Sequence, residues 1–565
     1  MSDERTVRAV NGVLLPGFEA SGTDVPAWLA DAARAGLAGV VCFARNTPDV
    51  ETAALLSAAL HAVSPDLLVA VDEEGGDVSR LEAADGSSLP GAAALGAHPG
   101  GPAVSLDAGR ALGRLLAATG IDLVLSPVLD VVSEPDNPVV GVRAFGTTPD
   151  VVARHGIAFA RGVRSAGVGV CGKHFPGHGA TTVDSHVGLP VVDAPLDVVR
   201  TRDLAPFAQA LRPEEGPRDQ SRLDAVMTAH VLYPAIGPAP ASVEPAATRL
   251  LRELGHDGPI ITDALDMGAL RRLTGTVGEA AVRAVEAGAD LLCLGLDPAL
   301  YTEAYDALAA AVAAGRVSVD RLEESAARTR TLVADIRDRR AAAGARTGPD
   351  AAQEALAELA DLGGRIADAV VHVRGAAPLV PLPPDAVPDV ADLRTRLDHA
   401  AGRTARHVQT ALAAAWPGAR VYPDDVPGQD ASGPVPAELG LDETGLAVLI
   451  ARFTRYGVSA DLDKSSPERG AEFPGRLSKS APRREPLVVI TREPVPGSAE
   501  RARLEQLWAV RPDLVVVHTG LPGPVGDWFG ALRDGGPAVV VACGTGRANA
   551  SAAVARLRGD RPPGR

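Results

Sequence analysis

Aromatic residues make up only 3% of this 565-residue chain, and alanine and valine carry much of its apolar content. That bias is as compatible with the nucleotide composition of a gene as with a fold, so it excludes neither. An excess of basic residues is also missing: the formal net charge is −16. General binding to nucleic acid or to anionic membranes needs basic surface and is therefore excluded, although a local basic pocket is not. Cysteine is scarce. The four present, Cys42, Cys171, Cys293 and Cys543, lack metal-type spacing, lie in or at the end of apolar runs, and read as small core residues rather than a disulfide framework. No apolar run approaches membrane-spanning length. The opening MSDERTVRAVNG has no basic region leading into an apolar one, so a soluble, cytoplasmic protein is expected.

What is present is globular: 46% hydrophobic and 22% charged residues. The length calls for two or three domains. Short apolar runs alternate with helix-length stretches from the N-terminus onward. The runs are Val10–Leu15, Gly39–Phe43, Leu67–Val71, Leu123–Ser126, Val168–Cys171, Ala225–Thr228, Pro259–Thr262 and Leu291–Leu294. Helical patterns such as Val50–Val63, Ala103–Ala118, Val151–Ala166 and Val277–Ala287 separate them. Eight βα units within about 300 residues predict a (β/α)8 barrel, with an open doubly wound sheet as the alternative.

A charged, then Ala/Gly-rich, then Pro-containing passage follows the helical segment Pro298–Arg340. Beyond it, Ala369–Val373, Leu487–Ile490, Leu514–His518 and Ala538–Ala542 read as strands, and Val390–Trp416 and Ala499–Val510 as helices. Pro423–Pro436 and Asp461–Arg484 read as loops. The expected division is a TIM-type barrel over residues 1–345, a linker helix region over 346–366 and a smaller α/β sandwich-like domain over 367–565.

Polar residues gather where the first eight runs end. Asp72 and Glu74 follow the third run, and Asp130 and Arg143 lie beyond the fourth. Lys173, His174, Asp184 and His186 follow the fifth, His230 the sixth and Asp263 the seventh. Barrel enzymes build their sites from the loops at the C-terminal ends of strands, so five consecutive ends point to one site.

Each group has a plainer role beside the chemical one. Asp263 can serve as nucleophile or base, or cap the next helix, for which Asp266 is the better placed. Asp184 and His186, two apart in an extended loop, can share a face so that the carboxylate raises the imidazole's basicity; the plain alternative is an Asx-turn beside a surface histidine. Lys173 and His174 can donate to hydroxyl or acyl oxygens, or be a solvated lysine beside a capping histidine. Zinc on His174, His178, His186 and Asp184 is disfavoured, because loop positions have no spacing that preforms ligands. CGTGRANAS (Cys543–Ser551) lacks the third glycine of a dinucleotide site and the lysine of a P-loop, and reads as a turn.

KHFPGHG (Lys173–Gly179) followed by DSH (Asp184–His186) resembles the β-N-acetylglucosaminidase branch of the family-3 glycoside hydrolases. Five further stretches agree, in family order across roughly residues 10–340: DEEGGDVSRL (Asp72–Leu81), LPGAAALGA (Leu89–Ala97), SPVLDVVSEPDNPVVGVRAFG (Ser126–Gly146), MTAHVLYPA (Met227–Ala235) and ITDALDMGAL (Ile261–Leu270). The resemblance implies a retaining exo-β-N-acetylglucosaminidase with Asp263 as nucleophile, His186 as acid/base and Asp184 as its partner. It implies that Asp72, Arg80, Arg143, Lys173 and His174 hold the sugar. No cofactor or metal is called for. The implied partners are a small glycoside and water, with phosphate as a rival acceptor; neither nucleic acid nor membrane is implied, and a homodimer stays open.

Three positions depart from the family pattern: Glu73 stands for a glutamine, Asp77 for an arginine and Ala180 for an aspartate. The first two change charge near the expected pocket. A phosphorylase, a β-glucosidase or xylosidase, and a non-catalytic sugar-binding barrel are the alternatives.

Overall fold

The computed structural model describes residues 4–20, 22–185, 188–212, 223–375, 380–394, 406–422, 442–457, 485–523, 528–529 and 537–560. The first eight strands are β1 (Leu14–Pro16), β2 (Gly39–Cys42), β3 (Leu68–Val71), β4 (Leu123–Val124), β5 (Gly169–Phe175), β6 (Ala225–Thr228), β7 (Ile260–Thr262) and β8 (Leu292–Leu294). β2 to β7 form one parallel sheet in chain order, and β1 pairs with β8. The parallel bridges Gly17–Val41 and Ile261–Leu291 join the two pieces, so eight parallel strands close into a barrel. The eight expected runs are the eight strands. One start differs: Val10 and Asn11 end the helix Glu4–Asn11, and β1 begins only at Leu14.

Strand periodicity decides which side chains face inward. Val40, Cys42, Val69, Val71, Val124 and Val170 pack outward with the surrounding helices. Val41, Leu68, Ala70, Leu123, Cys171 and Ala225 fill the interior. The helix Val319–Ala342 floors the barrel, because Leu332, Val333 and Ile336 belong to that same interior cluster. Its arginines hold three aspartates that precede alternate strands. Asp122 meets Arg340 at 3.1 Å, Asp224 meets Arg339 at 3.1 Å, and Asp290 meets Arg321 at 3.3 Å and Arg328 at 3.1 Å. Each aspartate also accepts a backbone N–H at 3.0 Å from the preceding strand: Val69, Val170 and Ile260 respectively. Buried carboxylates paired in this way stitch strand to strand and floor to barrel at once.

The second sheet orders β11-β10-β12-β13-β14-β9, from β9 (His372–Arg374), β10 (Asp389–Asp392), β11 (Arg420–Tyr422), β12 (Leu487–Thr491), β13 (Val515–His518) and β14 (Ala538–Val541). All pairs are parallel except β14 with β9. Cores on both faces of this sheet make it an α/β sandwich-like unit.

Two expectations fail here. The run Val390–Trp416 opens as β10, and its helix is His407–Ala415. β10 escapes a strand pattern because aspartates bound it; Arg420 pairs with Asp389, while Arg394 and Gln409 donate to Asp392. The run Ala369–Val373 straddles two elements, since the helix Pro349–Val370 ends before β9 begins. That helix packs Ala352, Leu359 and Ile366 into the barrel's outer core and passes Ala367 to the core of the second sheet. The loop expected over Asp461–Arg484 and that over Pro423–Pro436 lie outside the described residues.

Candidate active site

At the C-terminal ends of β3, β4 and β5 the chain builds a buried ionic network. Lys173, near the end of β5, donates to Asp72 Oδ1 at 2.6 Å and reaches Glu74 Oε1 at 2.7 Å. Arg143 grips Glu74 with a fork, Nε to Oε2 at 2.9 Å and Nη2 to Oε1 at 2.8 Å, and Nη1 donates to the Val139 carbonyl at 3.1 Å. Arg80 Nη2 stands 3.9 Å from Asp72 Oδ2. Burial opposes the charge on Glu74, but Arg143 and Lys173 outweigh it and hold that carboxyl well below the usual range. Burial likewise works against Lys173, and the two carboxylates overcome it to raise its pKa. Of the network's carboxylates Asp72 is the more open, its side chain 23% exposed against 5% for Glu74.

Asp130, from the segment after β4, organises the next group. Its Oδ2 lies 2.7 Å from His174 Nδ1, and Oδ1 accepts the His178 backbone N–H at 2.7 Å. Burial would raise the Asp130 pKa, yet His174 and His178 hold it down. Both ring nitrogens of His178 are engaged, Nδ1 with Thr181 Oγ1 at 2.8 Å and Nε2 with Ser185 Oγ at 3.1 Å. Burial lowers the His178 pKa to about 4, so the ring is neutral near pH 7.

The loop around it is locked. A Cβ on Gly179 would lie 2.0 Å from the Val131 carbonyl oxygen, and Tyr233 Oη donates to the Gly177 carbonyl at 2.9 Å. Glycine at 179 therefore serves close packing.

Asp263 leaves β7 beside this network. Its backbone N–H donates to the Thr228 carbonyl at 3.0 Å, and its Oδ1 accepts from Ala264 N at 2.8 Å. His230, after β6, fixes the same turn: Nε2 lies 2.9 Å from the Ala264 carbonyl and Nδ1 2.7 Å from Ser242 Oγ. Neither aspartate caps the next helix, which begins at Gly268 with no side-chain cap. Asp266 accepts from Gly295 N at 2.9 Å and ties the β7 loop to the end of β8. The buried Cys293 thiol registers the convergence, being pushed far up by burial, then by Asp263, then by Asp72.

The structure thus brings Asp72, Arg80, Arg143, Lys173, His174 and Asp263 to one end of the barrel. Ser185 anchors the end of the Asp184 loop there, its carbonyl accepting from Ala269 N at 3.1 Å on the helix that follows Asp263. Asp184 is half-buried in that loop, while His186 lies outside the described residues.

Sequence reasoning gave no role to Glu74, Asp130 or His230. Their signal was position alone, at strand ends. Of the departures from the family pattern, Glu73 is buried and its Oε2 accepts from Arg80 N at 2.8 Å and Leu81 N at 3.0 Å. Burial raises its pKa to about 7. Asp77 points away from the barrel mouth toward the second domain, where Arg492 Nη1 donates to it at 3.0 Å. A crevice lined by Arg249, Arg252, Arg321 and Arg328 lies at the opposite end of the barrel. Three of those arginines are engaged with Asp290, which makes it part of the floor.

Residues 19–332 match the family model described as the glycosyl hydrolase family 3 N terminal domain. Beta-hexosaminidase A of Pseudoalteromonas piscicida is 34% identical over 327 residues, which cover 53% of this chain and 53% of that protein. The chain therefore spans about half the length of that relative. A beta-hexosaminidase of Pseudomonas aeruginosa is 39% identical over 258 residues, 45% of this chain and 73% of its own. Among solved structures, a glycoside hydrolase family 3 beta-N-acetylglucosaminidase from Paenibacillus sp. superposes with a TM-score of 0.74 at 28% identity, covering 99% of this chain and 97% of that one.

Proposed function

The chain belongs to glycosyl hydrolase family 3, and from that premise we propose that it is a retaining exo-β-N-acetylglucosaminidase acting on small, cell-wall-derived glycosides. The observation that carries the reading is the meeting of Asp263 with the Asp72–Lys173–Glu74–Arg143 network at the C-terminal end of one barrel. Asp263 attacks the anomeric carbon from the end of β7, and the hydrogen bond from Ala264 N orients its carboxylate. His186, partnered by Asp184, protonates the departing oxygen and then takes a proton from the water that releases the sugar.

Asp72, with Lys173 and Arg80 beside it, accepts from sugar hydroxyls. Lys173 and His174 donate to hydroxyl and N-acetyl oxygens, contacts that strengthen toward an oxocarbenium-like transition state. Arg143 acts from behind, fixing Glu74 and through it Lys173.

The test is turnover of aryl β-N-acetylglucosaminide against aryl β-glucoside, each with and without phosphate. The expected result is preference for the N-acetyl substrate and release of free sugar in both buffers. Sugar 1-phosphate in the presence of phosphate would make the enzyme a phosphorylase instead. Asp263→Ala should abolish turnover. His186→Ala should harm substrates with basic leaving groups far more than activated aryl glycosides, and equal damage to both would remove His186 from the acid role.

A further inference from the structure

The strands of the second sheet deliver their C-terminal ends to the barrel's C-terminal face, and the two meet at Asp77. Its carboxylate is 1% exposed. Oδ1 accepts from Thr545 N at 2.6 Å, in the glycine-rich turn after β14, and Oδ2 accepts from Arg492 Nη1 at 3.0 Å, just after β12. The backbones are in contact as well, since a Cβ on Gly546 would lie 2.8 Å from the Gly76 carbonyl oxygen. The glycine-rich stretch that reads as a turn in the sequence therefore holds an anion supplied by the chain itself.

Asp77 sits within a tight loop. Glu74 N donates to the Val78 carbonyl at 3.0 Å, so holding Asp77 holds Glu74 three residues away. Arg492 reaches a second loop too. A Cβ on Gly141 would lie 3.6 Å from Arg492 Nη2 and 3.1 Å from Glu493 Oε1, and Gly141 opens the turn that ends in Arg143. Leu521 of the second domain packs with Val139, Val140 and Val142 of that segment. One guanidinium from the second domain thus spans the loop carrying Glu74 and the loop carrying Arg143, the two partners of the buried fork that aims Lys173.

We propose that Asp77 and Arg492 are positioning residues through which the second domain sets the sugar-holding half of the site. Asp77 is the device by which this chain couples its two domains. The assignment deepens the hydrolase reading and rests on it for its substrate. Asp263 and His186 belong to other loops, so loosening the latch lowers the fraction of molecules competent to bind sugar without altering the groups that perform chemistry.

Asp77→Asn keeps an acceptor for Thr545 N and removes the charge facing Arg492. The expected result is a KM raised about tenfold with kcat within about threefold. Amide hydrogen exchange should quicken across residues 73–81. A merely structural role would instead lower the active fraction, reducing kcat at unchanged KM. Arg492→Met should shift KM in the same direction, and it decides the matter if Asp77→Asn does not fold. Unchanged KM together with unchanged exchange over 73–81 in a folded variant would overturn the latch. If the wild-type chain turned over no aryl glycoside, the hydrolase reading would fail, and the exchange comparison would still judge the latch.

Discussion

Glu73 illustrates what one buried proton can do. Its folded pKa of about 7 stands above the ordinary value, so the stability it contributes is complete below about pH 4 and is lost as pH rises through 7. Glu500, raised by burial to about 8, acts with the same sign. Glutamine at 73 can still accept from Arg80 N and Leu81 N without ever charging. Glu73→Gln should therefore be stabilised relative to wild type by on the order of 1–3 kcal/mol more at pH 8 than at pH 5. Melting temperatures of the two proteins at both pH values measure this, and a constant difference would acquit the buried carboxyl. Glu74 works in the opposite direction. Its pKa is depressed, so its contribution is present above the ordinary carboxylate pKa and is lost as pH falls below it.

At the scale of elements, the segment from β5 through Ser185 is held together because its polar groups satisfy one another. Asp130 receives two backbone N–H groups and the His174 ring, and His178 spans Thr181 and Ser185. Gly179 is indispensable to that packing. Gly179→Ala drives a methyl against the backbone of Val131 and should cost about 2 kcal/mol. It should also lower kcat, since the displaced loop leads to Asp184 and His186. Thermal melting and turnover measured together check this; a variant with a normal melting temperature and normal kcat would show that the loop has room to spare.

For the whole molecule, the ion pairs of the barrel floor lie at the end remote from the candidate site. Asp290 is enclosed by Arg252, Arg321 and Arg328 at the end remote from Asp263. Asp290→Ala leaves three cations around an empty centre and should destabilise by roughly 3 kcal/mol. KM should be unchanged in the fraction that folds. Denaturant unfolding alongside steady-state kinetics measures both, and a raised KM would mean that the floor communicates with the site.

The sequence by itself determined the barrel, because burial on both faces of a parallel strand leaves a continuous apolar run that needs no partner to be recognised. It also determined which strand ends carry the polar residues that the fold gathers at one end of the barrel. Asp72, Lys173, His174 and Asp263 were legible through position and motif. Only the tertiary structure decided what joins them. Glu74 takes its meaning from Arg143, 69 residues away, and Asp77 from Arg492, 415 residues away. A strand bounded by aspartates, such as β10, was likewise invisible until Arg420 and Gln409 supplied its partners. A charged residue does not display its partner in sequence, since pairing is a property of distance in space and apolar periodicity is a property of the chain.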